Sequence, residues 1–283
     1  HNSGGKVICQ VDRLAANGSL NAKDVKVPGL LVDAVVVGAP ERSLQSYAVP
    51  YNPAFSAELK VPVDVKKEAE PLSLKKIIAR RGAMEIKKNA FVNFGIGVPQ
   101  LVASVLDEEG LADKVITSVE SGVIGGVPSG GLAMGSAMNP VAIIKHPEMF
   151  DLYHGGALAA AFLGAAEFDE HGNVNVTKFN GKSVGPGGFL GISQPTPKVC
   201  FCGTFTAGKS QIEIKDGKLH IIKDGDVIKF KKNVEQITFS GEYAQEMGQE
   251  VFFLTERAVL KLVKEGVMVT EIAPGVDLEK DII

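Results

Sequence analysis

Tryptophan is absent from this 283-residue chain, cysteine occurs three times, and no apolar run approaches the ~20 residues needed to span a bilayer as a helix. A spanning helix is therefore excluded. Cys9, Cys200 and Cys202 are too few and too unevenly spaced for a disulfide framework or a zinc site, and alternation in VCFCG puts the last two on one face of a strand. Buried, reduced thiols are the expectation, in keeping with a cytoplasmic protein. Among His1, His146, His154, His171 and His220 no pair has metal-ligand spacing, and there is no GxSxG elbow, P-loop or HExxH. Metal and serine-hydrolase chemistry are disfavoured, and no metal ligand is assigned. Charge of one sign is also lacking: 30 basic against 33 acidic residues give a formal net charge of −3, so no basic field invites nucleic acid or an anionic membrane. The opening HNSGGKVICQV has neither an initiator Met nor a signal-peptide core, and reads as a chain that begins inside something larger.

With 45% apolar residues, the chain has ample material for a core, as one large domain or two ordinary ones. Strands are expected at 6–11, within 29–38 as a buried run, at 91–95 and at 115–119. A helix starts after the cap-competent Ser73, and another runs from about Pro99 to Glu109 and stops at Gly110. Strand 91–95, the GIGVP turn, that helix and strand 115–119 make one βαβ unit and hence a parallel sheet. Between 39 and 71, Pro40, Pro50, Pro53, Pro62 and Pro71 puncture a segment ending in the charged run 64–70, which marks a crossing between domains 1–70 and 71–283. Further on, 172–179 and VCFCGTFTA alternate like strands. Asp-Gly at 216–217 and at 224–225 each predicts a hairpin, and two or three more strands follow Val251. The fold class is α/β: an open, mostly parallel sheet with flanking helices and antiparallel hairpins, preceded by the tail of a second, similar domain.

The most informative stretch is VITSVESGVIGGVPSGGLAMGSAMN, from Val115 to Asn139. A β-branched strand ends in one carboxylate, Glu120, followed by a loop with glycine at 122, 125, 126, 130, 131 and 135. Open α/β sheets bind ligands at their carboxyl edge, and glycine lets a ligand approach the main chain. A carboxylate at a strand end is usually structural and solvated, but this one faces bare N–H groups. Such a carboxylate can attack a thioester carbonyl, and the second glycine cluster, VGPGGFLGIS, can donate N–H to the oxyanion. Glu120 is thus the leading candidate for the reactive group. The GIGVP turn is either a weak anion cradle, with Pro99 removing one donor, or a plain strand-to-helix turn. Tyr153 and His154, beside Gly155 and Gly156, either line a pocket or pack a loop. The basic run KKIIARR at 75–81 is read first as the wet face of a helix and second as a partner for the phosphates of a nucleotide-bearing thiol.

Taken together, SVESGVIGGVPSGG, NFGIGVP, GPGGF and FCGTFTAG, with HNSGGKVI, KVPGLLVD, RRGAMEI and EIAPGVDLEKDI, resemble the family I CoA-transferases, most closely the propionate or acetate CoA-transferase branch. The resemblance spans essentially the whole chain. It implies a covalent glutamyl-CoA thioester on Glu120 and an oxyanion donor in the N–H of Gly188. Gly95, Gly97, Gly125, Gly126, Gly130, Gly131 and Gly187 are the candidate positions for binding CoA or substrate. Coenzyme A is expected as substrate, with no other cofactor. The family's second oxyanion donor and its glycine-rich CoA-binding loop come from the amino-terminal half of the enzyme and match nothing here. The chain is therefore expected to be the carboxyl-terminal half with the tail of the first domain, acting with the missing half as a same-chain segment or separate subunit, and forming a homo-oligomer. The function expected is ping-pong transfer of CoA between a short-chain acyl-CoA and a free carboxylate. The alternatives are an acyl-CoA hydrolase on the same site and a non-catalytic sensor of acyl-CoA or sugar phosphate.

Overall fold

The computed structural model describes residues 2–62 and 69–283, so the charged run expected at 64–70 lies outside the described residues except for Ala69 and Glu70. Two compact units are formed, His1–Pro53 and Ala54–Ile283. The division falls within the proline-rich stretch, ahead of the charged run rather than after it.

In the first unit, β1 (Ile8–Val11) pairs in parallel with β2 (Ala34–Val37). The expectation of a buried strand over 29–38 needs correction: Gly29–Leu31 is a 3-10 turn and Ala34–Val37 is exposed throughout. Parallel strands are normally covered on both faces, and among the described residues of this unit no helix lies on the pair.

The second unit is built on a nine-stranded sheet. In chain order its strands are β3 (Phe91–Phe94), β4 (Ile116–Val119), β5 (Val123–Ile124), β6 (Ala142–Ile143), β7 (Ala160–Leu163), β8 (Lys198–Cys202), β9 (Glu250–Leu254), β10 (Ala258–Val263) and β11 (Gly266–Ile272). Their spatial order is β11-β10-β9-β8-β7-β3-β4-β5-β6. The central five, from β9 to β4, are parallel, and an antiparallel pair closes each edge. The α/β expectation, mostly parallel with antiparallel additions, describes this sheet.

Period-2 alternation sends side chains to two cores. On one face, Ile78 and Ala79 of α1 (Leu74–Ala83) and Val102 and Val105 of α2 (Val98–Glu108) pack on Val92, Phe162, Cys200 and Leu254. On the other, Met149 and Tyr153 of α3 (His146–His154), Phe189 and Ile192 of α4 (Phe189–Ser193) and Ala244 of α5 (Gly241–Glu246) pack on Ala161, Val199, Phe201 and Phe253. Each fully buried Phe contributes about 2–3 kcal/mol by leaving water. Cys200 and Cys202 share the α1/α2 face, as alternation required.

Local chemistry fixes the helix ends. Ser73 Oγ accepts from Lys76 N–H at 3.2 Å to start α1. The basic run in that helix is not a freely solvated face. Lys76 is buried and pairs with Glu108 at 2.7 Å, Arg80 pairs with Glu109, and Arg81 bonds Glu271 and Glu85. Lys198 Nζ reaches Glu85 at 2.8 Å, so this network ties α1 to β8 and β11.

Of three local expectations, one holds and two change. Asp216-Gly217 does turn a hairpin, with φ of 52° and 71°. Asp224-Gly225 does not: Val227–Ile228 pairs instead with Thr206–Ala207, because Asp224 is engaged by Arg257 at 2.6 Å. The run 172–179 breaks into Val174–Asn175 and Lys178–Phe179, since Asn175 Oδ1 accepts from the N–H of Thr177 and Lys178.

Candidate active site

The sheet reverses its winding at β3: the chain passes to β4 on one side and later returns to β7 on the other. Open α/β sheets form their ligand crevice at the carboxyl ends beside such a reversal. Ladder pairing of β3 with β4 ends at Asn93–Ser118, and pairing of β4 with β5 ends at Val119–Val123. Glu120 is the next residue, free of the ladder at that edge.

Alternation turns Ser118 and Glu120 toward α3 and α4, and Thr117 and Val119 toward α2. Glu120 is half-buried in an open groove of about 980 Å³. Phe150, His146 and His154 of α3 form one wall; Gly187, Gly188, Gly191 and Gln194 form the other, with Tyr243 of α5 beyond. Among the described residues no hydrogen bond or ion pair engages the Glu120 carboxylate. Its charge is therefore not neutralised by any cation among the described residues.

Gly188, immediately before α4, lies directly against that carboxylate. A Cβ there would stand 2.1 Å from Glu120 Oε2 and 2.9 Å from Phe150 Cζ. At Gly191, one turn on, it would stand 2.8 Å from Phe150 Cε1 and 2.9 Å from His154 Nε2. The pair of glycines lets α4 settle on both the carboxylate and the Phe150 ring.

Beneath the groove runs a buried polar chain. Asn93 Nδ2 donates to Tyr153 Oη at 3.2 Å, Tyr153 donates to Ser118 Oγ at 2.9 Å, and Ser118 donates to the carbonyl of Val92 at 3.0 Å. Burial pushes the Tyr153 phenol up, the bonds to Ser118 and Asn93 oppose this, and the charge of Glu120 adds to it. The phenol stays a donor at neutral pH. Of the two residues read as either lining a pocket or packing a loop, His154 lines the groove and Tyr153 is wholly buried, because α3 turns it inward onto Asn93 and Ser118.

The remaining sequence candidates separate. Gly187 shares the Glu120 groove. Gly95 sits where β3 meets β7, its N–H donating to the Phe162 carbonyl at 2.7 Å, and Gly97 at φ 84° precedes α2 with its N–H on Gln100 Oε1 at 3.2 Å. Neither lines the groove. Gly125, Gly126 and Gly130 line a second cavity of about 760 Å³ on the α2 side, and Gly131 lies in a 3-10 turn beside it. That cavity is walled by Phe94, Ile124 and Met134 and carries Glu70, Asp107, Glu108 and Asp113.

Sequence reasoning missed His146 and Phe150 in the wall formed by α3. His146, Phe150 and His154 recur every four residues, with Pro147 in the first turn and Glu148 Oε2 accepting from Lys145 N–H at 3.0 Å. That spacing and that start signal were the available clues.

No family model matches the chain. Among curated proteins, an acetate CoA-transferase YdiF of Escherichia coli O157:H7 is 46% identical over 283 residues, all of this chain and 53% of the relative. A caffeate CoA-transferase of Acetobacterium woodii is 47% identical over 288 residues, all of this chain and 55% of the relative. A probable coenzyme A transferase subunit beta of Bacillus subtilis (strain 168) is 30% identical over 152 residues, 49% of this chain and 69% of the relative. Solved structures of the acyl-CoA transferase YdiF of Escherichia coli O157:H7, one an apoenzyme and one a thioester complex with CoA, match with a TM-score of 0.89 and 44% identity over all of this chain and 52% of theirs. The chain thus spans about half the length of the first two relatives.

Proposed function

Since the chain belongs to the family I CoA-transferases, we propose that it carries the nucleophile of an enzyme that moves CoA between a short-chain acyl-CoA and a free carboxylic acid. One observation carries the reading: Glu120 Oε2 lies against Gly188 in an open groove at the carboxyl end of β4, with no cation holding it among the described residues.

The Glu120 carboxylate attacks the acyl-CoA carbonyl, and the C–S bond breaks to leave an acyl-glutamyl anhydride and CoA thiolate. The thiolate then attacks the glutamyl carbonyl, releasing the first acid and leaving a glutamyl-CoA thioester. A second carboxylate reverses both steps. One hard exchange becomes several easier ones. In this reading the Gly188 N–H donates to the oxyanion of each tetrahedral intermediate, an interaction worth about 3–4 kcal/mol at the transition state; the contact of Gly188 with Glu120 supports it. The exchange conserves one thioester and changes no oxidation state, so CoA enters as a substrate and no prosthetic group is required. The second oxyanion donor and the rest of the CoA surface are assigned to the part of the relatives' length that this chain does not span, in the same chain or as a separate subunit. The relatives named for acetate and for caffeate bracket the acids to be tried.

The test is CoA exchange by the full-length native protein, from propionyl-CoA to labelled acetate or caffeate. Acceptor-dependent formation of the new thioester is expected. CoA release at the same rate without acceptor would assign a hydrolase instead, and acyl-CoA binding without turnover would assign a sensor.

A further inference from the structure

Resting on the CoA-transferase reading, we propose that Tyr153 is a positioning residue for Glu120, acting through Ser118 and Asn93. The ladder explains why one is needed. The last residue pair joining β4 to β3 is Asn93–Ser118, and beyond it the chain toward Glu120 has no partner on the β3 side. The Tyr153 hydroxyl bridges that final pair from above, accepting from Asn93 Nδ2 at 3.2 Å and donating to Ser118 Oγ at 2.9 Å. Two direct links through side chains join the strands here, Asn93 Nδ2 to the Ser118 carbonyl at a long 3.4 Å and Ser118 Oγ to the Val92 carbonyl at 3.0 Å, and both lie within the sheet. The phenol adds a tie of comparable length that comes from α3 and holds both strands at the point where β4 is released.

Ser118 and Glu120 are two residues apart and so leave the strand on the same face. Fixing the Ser118 side chain fixes the direction in which Glu120 emerges. All three members are buried, Tyr153 completely, Asn93 to 3% and Ser118 to 2% exposure, so water cannot replace a lost partner at low cost. The same side chain anchors α3, whose Phe150 ring lies 5.6 Å from that of Tyr153 and touches the space at Gly188. One hydroxyl therefore registers the nucleophile with the groove wall against which its substrate lies. Tyr153 touches no substrate, and its role is geometric.

The experiment compares Tyr153→Phe, Ser118→Ala and the double variant in the full-length native protein. Tyr153→Phe keeps the ring and removes only the bridging oxygen. A misplacement of about 1 Å at a reacting group costs up to ~100-fold in rate. Expected is a 10- to 100-fold loss in kcat with KM for acyl-CoA changed less than about twofold. The double variant should lose no more than the worse single one, since both remove the same tie. Ser118→Ala serves as the independent probe if Tyr153→Phe folds poorly. Unchanged kcat in both single variants, a multiplicative loss in the double, or a loss confined to the melting temperature overturns the role of Tyr153. A wild-type protein that neither exchanges CoA nor forms an adduct defeats the transferase reading itself, and the positioning role with it.

Discussion

Replacing Gly188 by alanine probes the closest approach in the site. Its φ of −79° is open to any residue, so the substitution carries no backbone strain and leaves the N–H donor in place. What changes is space. The new methyl would stand 2.1 Å from Glu120 Oε2, 2.9 Å from Phe150 Cζ and 3.0 Å from Glu120 Cδ. A methyl carbon does not approach closer than about 3.0 Å, so the carboxylate oxygen must retreat by roughly 0.9 Å. The methyl then occupies space directly against the proposed nucleophile. A displacement of that size lowers the rate by about 100-fold, close to 2.7 kcal/mol of barrier. Stability should change little, because the atoms that yield are the end of a half-buried side chain and the edge of one ring. The assay is the single-turnover rate of CoA adduct formation from acyl-CoA, followed by intact mass, beside a thermal melt. A variant forming the adduct at the wild-type rate would refute the packing of Gly188 on Glu120. A loss of rate that only follows unfolding would equally remove the steric explanation.

Two further outcomes follow from the same structure. Burial pushes the Glu85 carboxyl up, but bonds from Lys198 and Arg81, each 2.8 Å, outweigh it and hold Glu85 below the ordinary carboxylate value. Its stabilisation is therefore present at neutral pH and lost as pH falls through that lowered value. Glu85→Gln should cost about 2 kcal/mol at pH 7, roughly 5 °C in melting temperature, and little once the pH lies below that lowered value; an equal cost on both sides of it would contradict the ion network. Burial also raises the Cys200 and Cys202 thiols, while Cys9 is only half-buried. A thiol reagent should label one cysteine per native chain quickly and the other two only after denaturation, and fast labelling of Cys200 or Cys202 would mean that β8 is not in the core.

How far the sequence was legible depends on how local each signal is. Strand β4 and the exposed end at Glu120 were readable because β-branched alternation and a glycine-rich stop are local patterns. Gly188 could be paired with Glu120 from sequence only through family resemblance, since their contact joins residues 68 positions apart and depends on α4 settling on α3. The glycine loop after Glu120 looked like one surface, yet Gly125, Gly126 and Gly130 line the cavity on the α2 side, with Thr117 and Val119, rather than the groove that holds the carboxylate. The strand 29–38 looked buried because Val and Leu dominate it, and composition does not say whether a covering layer is present. Asp224-Gly225 carried the right turn residues, but a buried Arg257 claimed the aspartate. Tyr153 illustrates the general limit. Its residue type was visible, and its partners Asn93 and Ser118 came from two other elements that only the sheet brings together.

The most direct measurement is to incubate the full-length native protein with acyl-CoA, reduce with borohydride, and map the modified peptide. The prediction is acyl-CoA-dependent loss of activity together with reduction of the Glu120 side chain to the alcohol, absent when acyl-CoA is omitted. Full activity after this treatment with Glu120 unmodified, or a modification at any other residue, would contradict covalent catalysis by Glu120.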